Sequence, residues 1–447
     1  MPLNDTIAAL ATPPGRGGVA IVRVSGGEAP GIMRELLRPQ REIKYRYMHY
    51  GSLEYKGRLL DKGLCVLFEK EHSFTGEYVF EAHCHGGDMA ARLILEAALE
   101  LGARPAQPGE FTKRAFINGR ISLDQAESIG NLIEAKTVLS ARNAARGLGG
   151  ELRGRMQEYQ EEIADLIANI EAGFDYPDQI DEEMTRANLN SRLEALIPRL
   201  EELRNTYAAG RLLANGVSVC IAGLPNAGKS SLINALAGRE CAIVTDQAGT
   251  TRDVLSVELE LNGVMFRLSD TAGLRTEEDL CLPEKIGIER ALREALGADA
   301  VLYVIDAVKG PSEEDRRFED KLRAGSARII EVYNKCDLAA QTLKEEENRI
   351  FLSALTGAGM DGLKRVLASL AAQANSSEGL LITSARHNAA LERALEALKG
   401  ARAGEALGLD CASIDLRTAL SALEEITGQS ASEGMVERIF ERFCLGK

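Results

Sequence analysis

A doubly wound α/β nucleotide-binding domain set between helical segments is the architecture this chain predicts, and three stretches predict it. Gly223-Leu-Pro-Asn-Ala-Gly228-Lys229-Ser230 follows the apolar run from Val217 to Ala222 and precedes a helical pattern. That context marks a phosphate-binding P-loop. The glycines let backbone N–H groups turn inward around phosphate oxygens, and the helix N-terminus adds partial positive charge. Lys229 adds a full charge, and Ser230 offers its hydroxyl to Mg2+. Asp270-Thr271-Ala272-Gly273 follows a second apolar run, Val264 to Leu268. A carboxylate at a strand end can hold the metal through water, and Gly273 lets its N–H approach a γ-phosphate. Asn334-Lys335-Cys336-Asp337 follows Ile329-Ile-Glu-Val-Tyr333. The Asp337 carboxylate can accept paired hydrogen bonds from guanine N1–H and N2–H2, a donor pair adenine lacks, so GTP is the expected nucleotide. Three such motifs in this order, each at the carboxyl end of a predicted strand, point to a GTPase G domain.

The length of 447 residues suggests roughly three domains, and 45% hydrophobic with 27% charged residues is ordinary for a globular protein. No apolar run approaches a membrane span. Met1-Pro-Leu-Asn-Asp-Thr carries an acidic residue and no basic cluster or long apolar core, so neither a secretory signal nor a transit peptide is expected. Eight cysteines without a Cys-x-x-Cys pair suit a reducing compartment, and cytoplasmic residence is the expectation. The net charge of −14 argues against nucleic-acid binding by the whole surface but leaves room for a local basic patch.

Along the chain, short apolar runs and turns come first. Helical spacing follows in Leu148, Leu152, Met156, Tyr159, Ile163, Leu166 and Ile170, then in Leu189, Leu193, Leu196, Leu200 and Leu203, with Asp175-Tyr-Pro-Asp as the connecting loop. After the G domain, Ala374-Asn-Ser-Ser-Glu-Gly379 reads as a linker, and the spacing resumes at Leu391, Leu395 and Leu398, then Leu416, Leu420 and Leu423. Helices on both sides suggest one helical domain with the G domain inserted, although two separate bundles would show the same periodicity. The expected divisions are 1–118, 119–210 (helical, first part), 215–375 (G domain) and 380–447 (helical, second part).

The whole chain resembles the bacterial tRNA modification GTPase family MnmE, also called TrmE. The resemblance is carried by Asp5-Thr-Ile-Ala-Ala, Ala11-Thr-Pro-Pro-Gly-Arg-Gly-Gly-Val-Ala-Ile-Val-Arg23, Ser73-Phe-Thr-Gly-Glu-Tyr-Val-Phe-Glu81 and His85-Gly-Gly. Arg104-Pro-Ala-Gln-Pro-Gly-Glu-Phe-Thr-Lys-Arg-Ala-Phe-Ile-Asn-Gly-Arg120 and the terminal Phe443-Cys444-Leu445-Gly446-Lys447 complete it. The resemblance implies an α+β folate-binding-like N-terminal domain, an all-α helical domain and the inserted α/β P-loop G domain. It implies a homodimer that joins the flavoprotein MnmG (GidA) in a heterotetramer and modifies C5 of the wobble uridine of certain tRNAs with an aminomethyl or carboxymethylaminomethyl group. A 5-formyltetrahydrofolate or related derivative is the expected one-carbon source, and GTP, Mg2+ and K+ are the other expected cofactors. No membrane partner is expected.

Position by position, the resemblance implies nucleotide contacts from Asn226, Ala227, Gly228, Lys229, Ser230, Ser231, Thr245, Thr250, Thr251, Asp270, Thr271, Ala272, Gly273, Asn334, Lys335, Asp337, Ser353 and Ala354. Ser230 and Thr251 would hold Mg2+. Ras-like proteins place a Gln after Asp-x-x-Gly, but Leu274 stands there in this chain, so hydrolysis must be assisted otherwise. The resemblance implies a K+ held by Asn226, Thr245, Gln247 and Thr250, and GTP hydrolysis stimulated when two G domains meet across a homodimer with K+ at the interface. Glu284, before Lys285-Ile-Gly-Ile-Glu-Arg-Ala291, is the implied water-orienting residue beside Lys229 and Asp270. Glu277, Glu278 and Asp279 are rival carboxylates in a segment longer than the family pattern.

For the folate, the matching positions are Arg23, Glu81, Arg120 and Lys447. A carboxylate suits the amino-pyrimidine edge of a pterin, and Arg and Lys suit its anionic glutamate tail. Members carry Lys or Arg at position 120. Cys444 invites a nucleophile reading with no neighbouring His or Asn to activate it. His83-Cys84-His85 has the composition of a metal site, but in a strand the histidines share one face and Cys84 the other. Lys113, Arg114, Arg120, Arg142, Arg146, Arg153 and Arg155 offer local positive charge to tRNA phosphates. Two other classes of reading are a regulatory GTPase switch of the ribosome-assembly type and a folate-binding protein gated by its G domain. From the assignment of Glu284, Glu284→Ala is expected to abolish GTP turnover in a steady-state phosphate-release assay while nucleotide still binds; retained hydrolysis removes Glu284 from the role.

Overall fold

A seven-stranded sheet forms from the N-terminal third of the chain because its strands alternate buried and exposed positions, the mark of a sheet with two unlike faces. The computed structural model describes residues 5–40, 42–238, 256–270, 292–323, 325, 327–339, 348–372, 379–403, 408–444 and 446. These divide into two compact units. One comprises Met1–Ile133, Ala145–Ile197 and Ala390–Lys447, and the other Glu134–Ala144 and Pro198–Ala389.

In the first unit the strands are β1 (Ile7–Leu10), β2 (Val19–Ser25), β3 (Leu37–Arg38), β4 (His49–Tyr55), β5 (Arg58–Phe68), β6 (Val79–His85) and β7 (Arg104–Pro105), in the order β3-β4-β5-β6-β2-β1-β7. All neighbours are antiparallel except β1 and β7. Ala8, Val22, Val24, Leu53, Cys65, Leu67, Phe80 and Ala82 bury one face against Ile32, Met33 and Leu36 of helix Ala29–Leu36 and Ala91, Ile94 and Ala98 of helix Asp88–Glu100. On the other face Ile7 and Ala9 pack with Phe111 of helix Glu110–Ile117. Beyond Phe111 that face carries a polar cluster among apolar neighbours: the registers Arg23↔Glu81 and Ile21↔His83 place Arg23, Glu81 and His83 together.

A buried ion network closes the same unit. Arg114 is 1% exposed and donates to Asp5 Oδ1 (2.7 Å), to both oxygens of Glu77 (3.1 Å each) and to Glu110 Oε1 (3.0 Å). Arg104 forks onto Glu110 at 2.6 and 2.9 Å. This corrects the placement of Arg114 among surface cations for tRNA, since a guanidinium buried on three carboxylates has no face for a phosphate. Arg155 is likewise paired with Glu151 at 3.0 Å, whereas Arg120, Arg142 and Arg146 are exposed.

The helical part of this unit draws on both ends of the chain. In helix Glu151–Asp175, Leu152, Met156, Ile163, Leu166 and Ile170 are buried, as the spacing predicts. Leu148, read as the first member of that series, ends a separate helix, Val138–Leu148. Gly150, at φ +86°, breaks the ladder between the two in a conformation that suits glycine. Helix Leu409–Thr427 packs against Glu151–Asp175 through a buried stripe containing Leu416, Leu423 and Ile426, and Arg417 pairs with Glu171. Segments before and after the G domain thus form one helical body, which is the inserted arrangement.

In the second unit, β8 (Val217–Ala222), β9 (Ser256–Leu261), β10 (Val264–Asp270), β11 (Ala300–Asp306), β12 (Arg328–Asn334) and β13 (Arg349–Phe351) pair in the order β13-β12-β11-β8-β10-β9. All pairs are parallel except the edge hairpin β9–β10. Near-continuous apolar runs, such as Ala300 to Ile305, suit strands covered on both faces. Segment Glu134–Ala144 fastens to the hairpin: Lys136 Nζ donates to both oxygens of the buried Glu258 on β9 at 2.5 and 2.7 Å. Leu139 lies where a Cβ on Gly263 of the hairpin turn would have to go, 2.6 Å away. Asn143 receives the Leu381 N–H (2.8 Å) and donates to its carbonyl (3.1 Å). Of the linker stretch, residues 374–378 lie outside the described residues.

Burial pushes the carboxyls of Asp5 and Glu110 up, but the hydrogen bonds from Arg104 and Arg114 outweigh it and leave both below the usual carboxylate range. A depressed folded-state value means stability that is present above the unfolded value, about pH 4, and lost as pH falls below it. Thermal melts between pH 6 and pH 2 are therefore expected to show a midpoint that drops steeply below about pH 4. Arg114→Met is expected to lower the midpoint at neutral pH and to flatten the acid limb; parallel curves for both proteins contradict this account.

Candidate nucleotide-binding and folate-type sites

The strand order reverses between β8 and β11, and at such a switch point loops diverge to leave a crevice at the carboxyl edge of a parallel sheet. The P-loop occupies that edge. Gly223 at φ +144° passes so close to β11 that a Cβ would lie 2.3 Å from Val304 O. Asn226 takes a left-handed conformation at φ +65°. Gly228, at φ +97°, caps helix Lys229–Ala237, and a Cβ there would lie 2.2 Å from Asn334 Nδ2. Only glycine fits both the angle and the approach. Lys229 is buried, and its ammonium donates to Gly223 O (2.9 Å) and Leu224 O (3.0 Å), which keeps a cation inside the loop. Ser230 and Ser231 are exposed in the first turn of the helix, where N–H groups lack intrahelical partners.

Asn334 ends β12 and is 2% exposed. Its Nδ2 donates to Ala227 O (3.2 Å) and Gly228 O (3.4 Å), and its Oδ1 accepts from Lys335 N (2.8 Å) and Ala354 N (3.0 Å). One amide therefore joins the P-loop to the loops after β12 and β13. Lys335, at φ +68°, extends its ammonium to Asn226 O and to Asp306 Oδ2, each at 2.7 Å. The hydrogen bond from Lys335 holds the Asp306 carboxyl below its usual range. Asp306 was not among the residues expected here. It closes the apolar run from Val301 to Ile305, and an acid ending a strand at this edge was the signal available. Asp337 is exposed past the turn, and Ser353 is buried, its Oγ accepting from Thr356 N at 3.2 Å. Asp270 ends β10 in register with Ile221 of β8. Thr245, Gln247, Thr250, Thr251, Thr271, Ala272, Gly273, Glu284 and its rivals Glu277, Glu278 and Asp279 lie outside the described residues.

On the polar face of the first unit's sheet, Arg23 Nε donates to Glu81 Oε1 at 2.8 Å, with the guanidinium 5.6 Å from the Phe111 ring centre. Its Nη1 reaches Gly446 O of the C-terminal tail at 3.5 Å. Gly446, at φ +91°, nests where a Cβ would meet Leu10 O at 2.1 Å, and Gly109 N donates to Cys444 O at 3.4 Å. The tail and Arg23–Glu81 are thereby brought together across the length of the chain. Arg120 is exposed beside the Gly76 turn, and Lys447 lies outside the described residues. His83 and His85 share the Glu81 face, while Cys84 points into the core and donates to Ala20 O at 3.3 Å. Burial pushes the Cys84 thiol up to about 11, so the thiolate that binds metals is disfavoured. His85 is bound to Asp61, Nδ1 to Oδ1 at 2.8 Å.

A P-loop at the switch point, an aspartate ending β10 and Asn-Lys-x-Asp after β12 define a P-loop GTPase domain, here inserted in a helical body that follows an α+β domain. The sequence profile of the MnmE helical domain matches residues 123–444, and that of the GTP-binding protein TrmE N-terminus matches 6–120. The tRNA modification GTPase MnmE of Hydrogenovibrio crunogenus is 41% identical over 99% of this chain and 99% of that protein. The protein of the same name from Pseudomonas paraeruginosa is 42% identical over 99% of both, and that from Thermotoga petrophila 38% over 99% of this chain and 100% of that one. The chain belongs to the MnmE (TrmE) family. Among solved structures, the G domain of the T. maritima FeoB iron transporter is 26% identical and spans 35% of this chain and 98% of its own, with a TM-score of 0.27. No helix among the described residues is long and apolar enough to cross a membrane.

Gly228→Ala combines a strained φ with a collision against the Asn334 amide. It is expected to weaken binding of a fluorescent guanine nucleotide by at least about tenfold. Affinity within about twofold of the parent would show that the loop tolerates a Cβ.

Proposed function

We propose that this protein hydrolyses GTP in the service of tRNA modification. With the flavoprotein MnmG it would add an aminomethyl or carboxymethylaminomethyl group at C5 of the wobble uridine, position 34, of certain tRNAs. The observation that carries the nucleotide half is the convergence at Asn334, where the phosphate loop and the loops after β12 and β13 share one buried amide. Membership of a family whose relatives are named tRNA modification GTPases carries the rest.

The residues divide the work by chemistry. The P-loop N–H groups and Lys229 bind the β- and γ-phosphates; as phosphate arrives, the Lys229 ammonium exchanges its two loop carbonyls for phosphoryl oxygens. Asn334 and Lys335 hold the loop in shape, and Asp337 accepts from the guanine edge, beside Ser353 and Ala354. Ser230 and Thr251, with Asp270 acting through water, are the residues that would hold Mg2+, which supplies charge neutralisation between phosphates. The oxygens of Asn226, Thr245, Gln247 and Thr250 suit a monovalent cation, and K+ there supplies the positive charge that an arginine finger supplies elsewhere. Glu284 orients the attacking water. Pairing of two G domains across a homodimer would complete this arrangement and exclude solvent.

For the one-carbon unit, Glu81 offers a carboxylate already aligned by Arg23, a fit to the donor edge of a reduced pterin such as 5-formyltetrahydrofolate. Arg120 and Lys447 match the glutamate tail. Glu81→Ala is expected to abolish folate binding, and unaltered affinity would refute that site.

The decisive assay is steady-state hydrolysis in KCl against NaCl at equal ionic strength, with light scattering to follow assembly. K+ is expected to raise turnover by about a hundredfold with dimerisation. Equal slow rates in both salts deny Asn226 its role and favour a regulatory switch, as would unchanged wobble-uridine modification in a deletion strain.

A further inference from the structure

Both oxygens of Glu81 are engaged, and only one of them by a residue so far given a role. Arg23 Nε donates to Oε1 at 2.8 Å from strand β2. Against Oε2, at 3.3 Å, stands Nε2 of His83, two residues along β6 and therefore on the same face. A carboxylate only accepts, so Nε2 must be the protonated nitrogen in this contact. The three side chains are part-exposed, at 27% for Arg23, 15% for Glu81 and 23% for His83, so they form a floor open to a ligand rather than a closed core pair. In the sheet register His83 stands between Ile21 on β2 and Leu64 on β5.

We propose that His83 is a positioning residue for pterin binding, an inference that rests on the folate site described above. A glutamate side chain held by one donor can still rotate its carboxylate. Held through both oxygens, by Arg23 across the strand pair and by His83 along β6, it cannot, and its remaining lone pairs stay free for the paired donors of an amino-pyrimidine. The ordering cost is met before the ligand arrives, which favours binding without a direct contact. The effect is confined to the pterin end, because His83 acts through Glu81 and not through the cations matched to the glutamate tail.

The test is calorimetric titration of the full-length protein with 5-formyltetrahydrofolate and with a reduced pterin lacking the glutamate tail. His83→Ala is expected to weaken both by the same factor, about fivefold. His83→Gln, which keeps an N–H donor of similar reach, should stay within about twofold of the parent. In a Glu81→Gln background, His83→Ala should cost nothing more, since the two act as one unit. Unchanged affinity in His83→Ala, equal weakness of the Gln and Ala variants, or additive losses would each overturn the assignment. If His83→Ala does not fold, His83→Leu removes the donor while keeping bulk and takes its place. Glu81→Ala reports separately on the folate site: loss of binding there together with an unaffected His83→Ala leaves the site standing and removes only the positioning role.

Discussion

The side-chain amide of Asn334 is the contact on which the nucleotide edge depends. Its two N–H groups go to the carbonyls of Ala227 and Gly228, and its oxygen takes the N–H groups of Lys335 and Ala354, so its full hydrogen-bonding capacity is used inside the fold. An aspartate could not donate, and an apolar residue would take the side-chain partner from Ala227 O, Lys335 N and Ala354 N, leaving Gly228 O only the Leu232 N–H. The same closeness forbids a side chain at Gly228, which ties the glycine of one motif to the asparagine of another more than a hundred residues away. Lys335 repeats the pattern by spanning Asn226 O and Asp306. Members of the third motif thus hold the shape of the first before any base is considered.

A comparable economy governs the N-terminal sheet. One face is apolar and covered by helices Ala29–Leu36 and Asp88–Glu100, so it supplies stability; the other is closed by Phe111 near β1 and carries Arg23, Glu81 and His83 beyond it. The buried network of Arg104, Arg114, Asp5, Glu77 and Glu110 anchors helix Glu110–Ile117 to the sheet, and Phe111 on that helix backs the Arg23 guanidinium. Charge buried at one place therefore sets the wall of the open array at another. The C-terminal tail adds the last element, since Gly446 and Cys444 supply backbone carbonyls to Arg23 and Gly109.

The G domain is fastened within its own unit by polar contacts distant in sequence. Asp299 accepts from Arg211 at 2.7 Å and from Ser218 N and Oγ at 2.9 and 2.7 Å, joining helix Tyr207–Asn215 to the start of β8. Burial works against that charge, but the donors outweigh it and keep the carboxyl below its usual range. Lys136 and Leu139 fix the hairpin β9–β10 from a segment that precedes the hairpin by more than a hundred residues. That hairpin ends at Asp270, so the backbone position of this aspartate depends on contacts made along β9, at Glu258 opposite Arg267, and at the hairpin turn, at Gly263.

The motifs, the strands that precede them and the long helical stripes were legible in sequence because each depends on local spacing: a glycine that must turn, an apolar run that must be covered, a residue repeated every three or four places. Arg104, Arg114, Lys136, Asp299 and Asp306 were not, because a charged residue gives no local sign of whether it will meet water or a carboxylate. Arg114 shows the difference most plainly. Its sequence neighbourhood resembles a basic surface, yet three carboxylates from three separate segments bury it. The break at Gly149-Gly150 was likewise hidden, since the leucine period runs through it. By itself the sequence determined the domain class, the guanine preference of the Asp337 motif and the family, all of which rest on residue types at fixed spacing. Only the tertiary structure decided which charges pair, that His83 stands behind Glu81 and that Asn334 holds the P-loop, because those contacts join positions that nothing but the folded backbone brings within hydrogen-bonding distance.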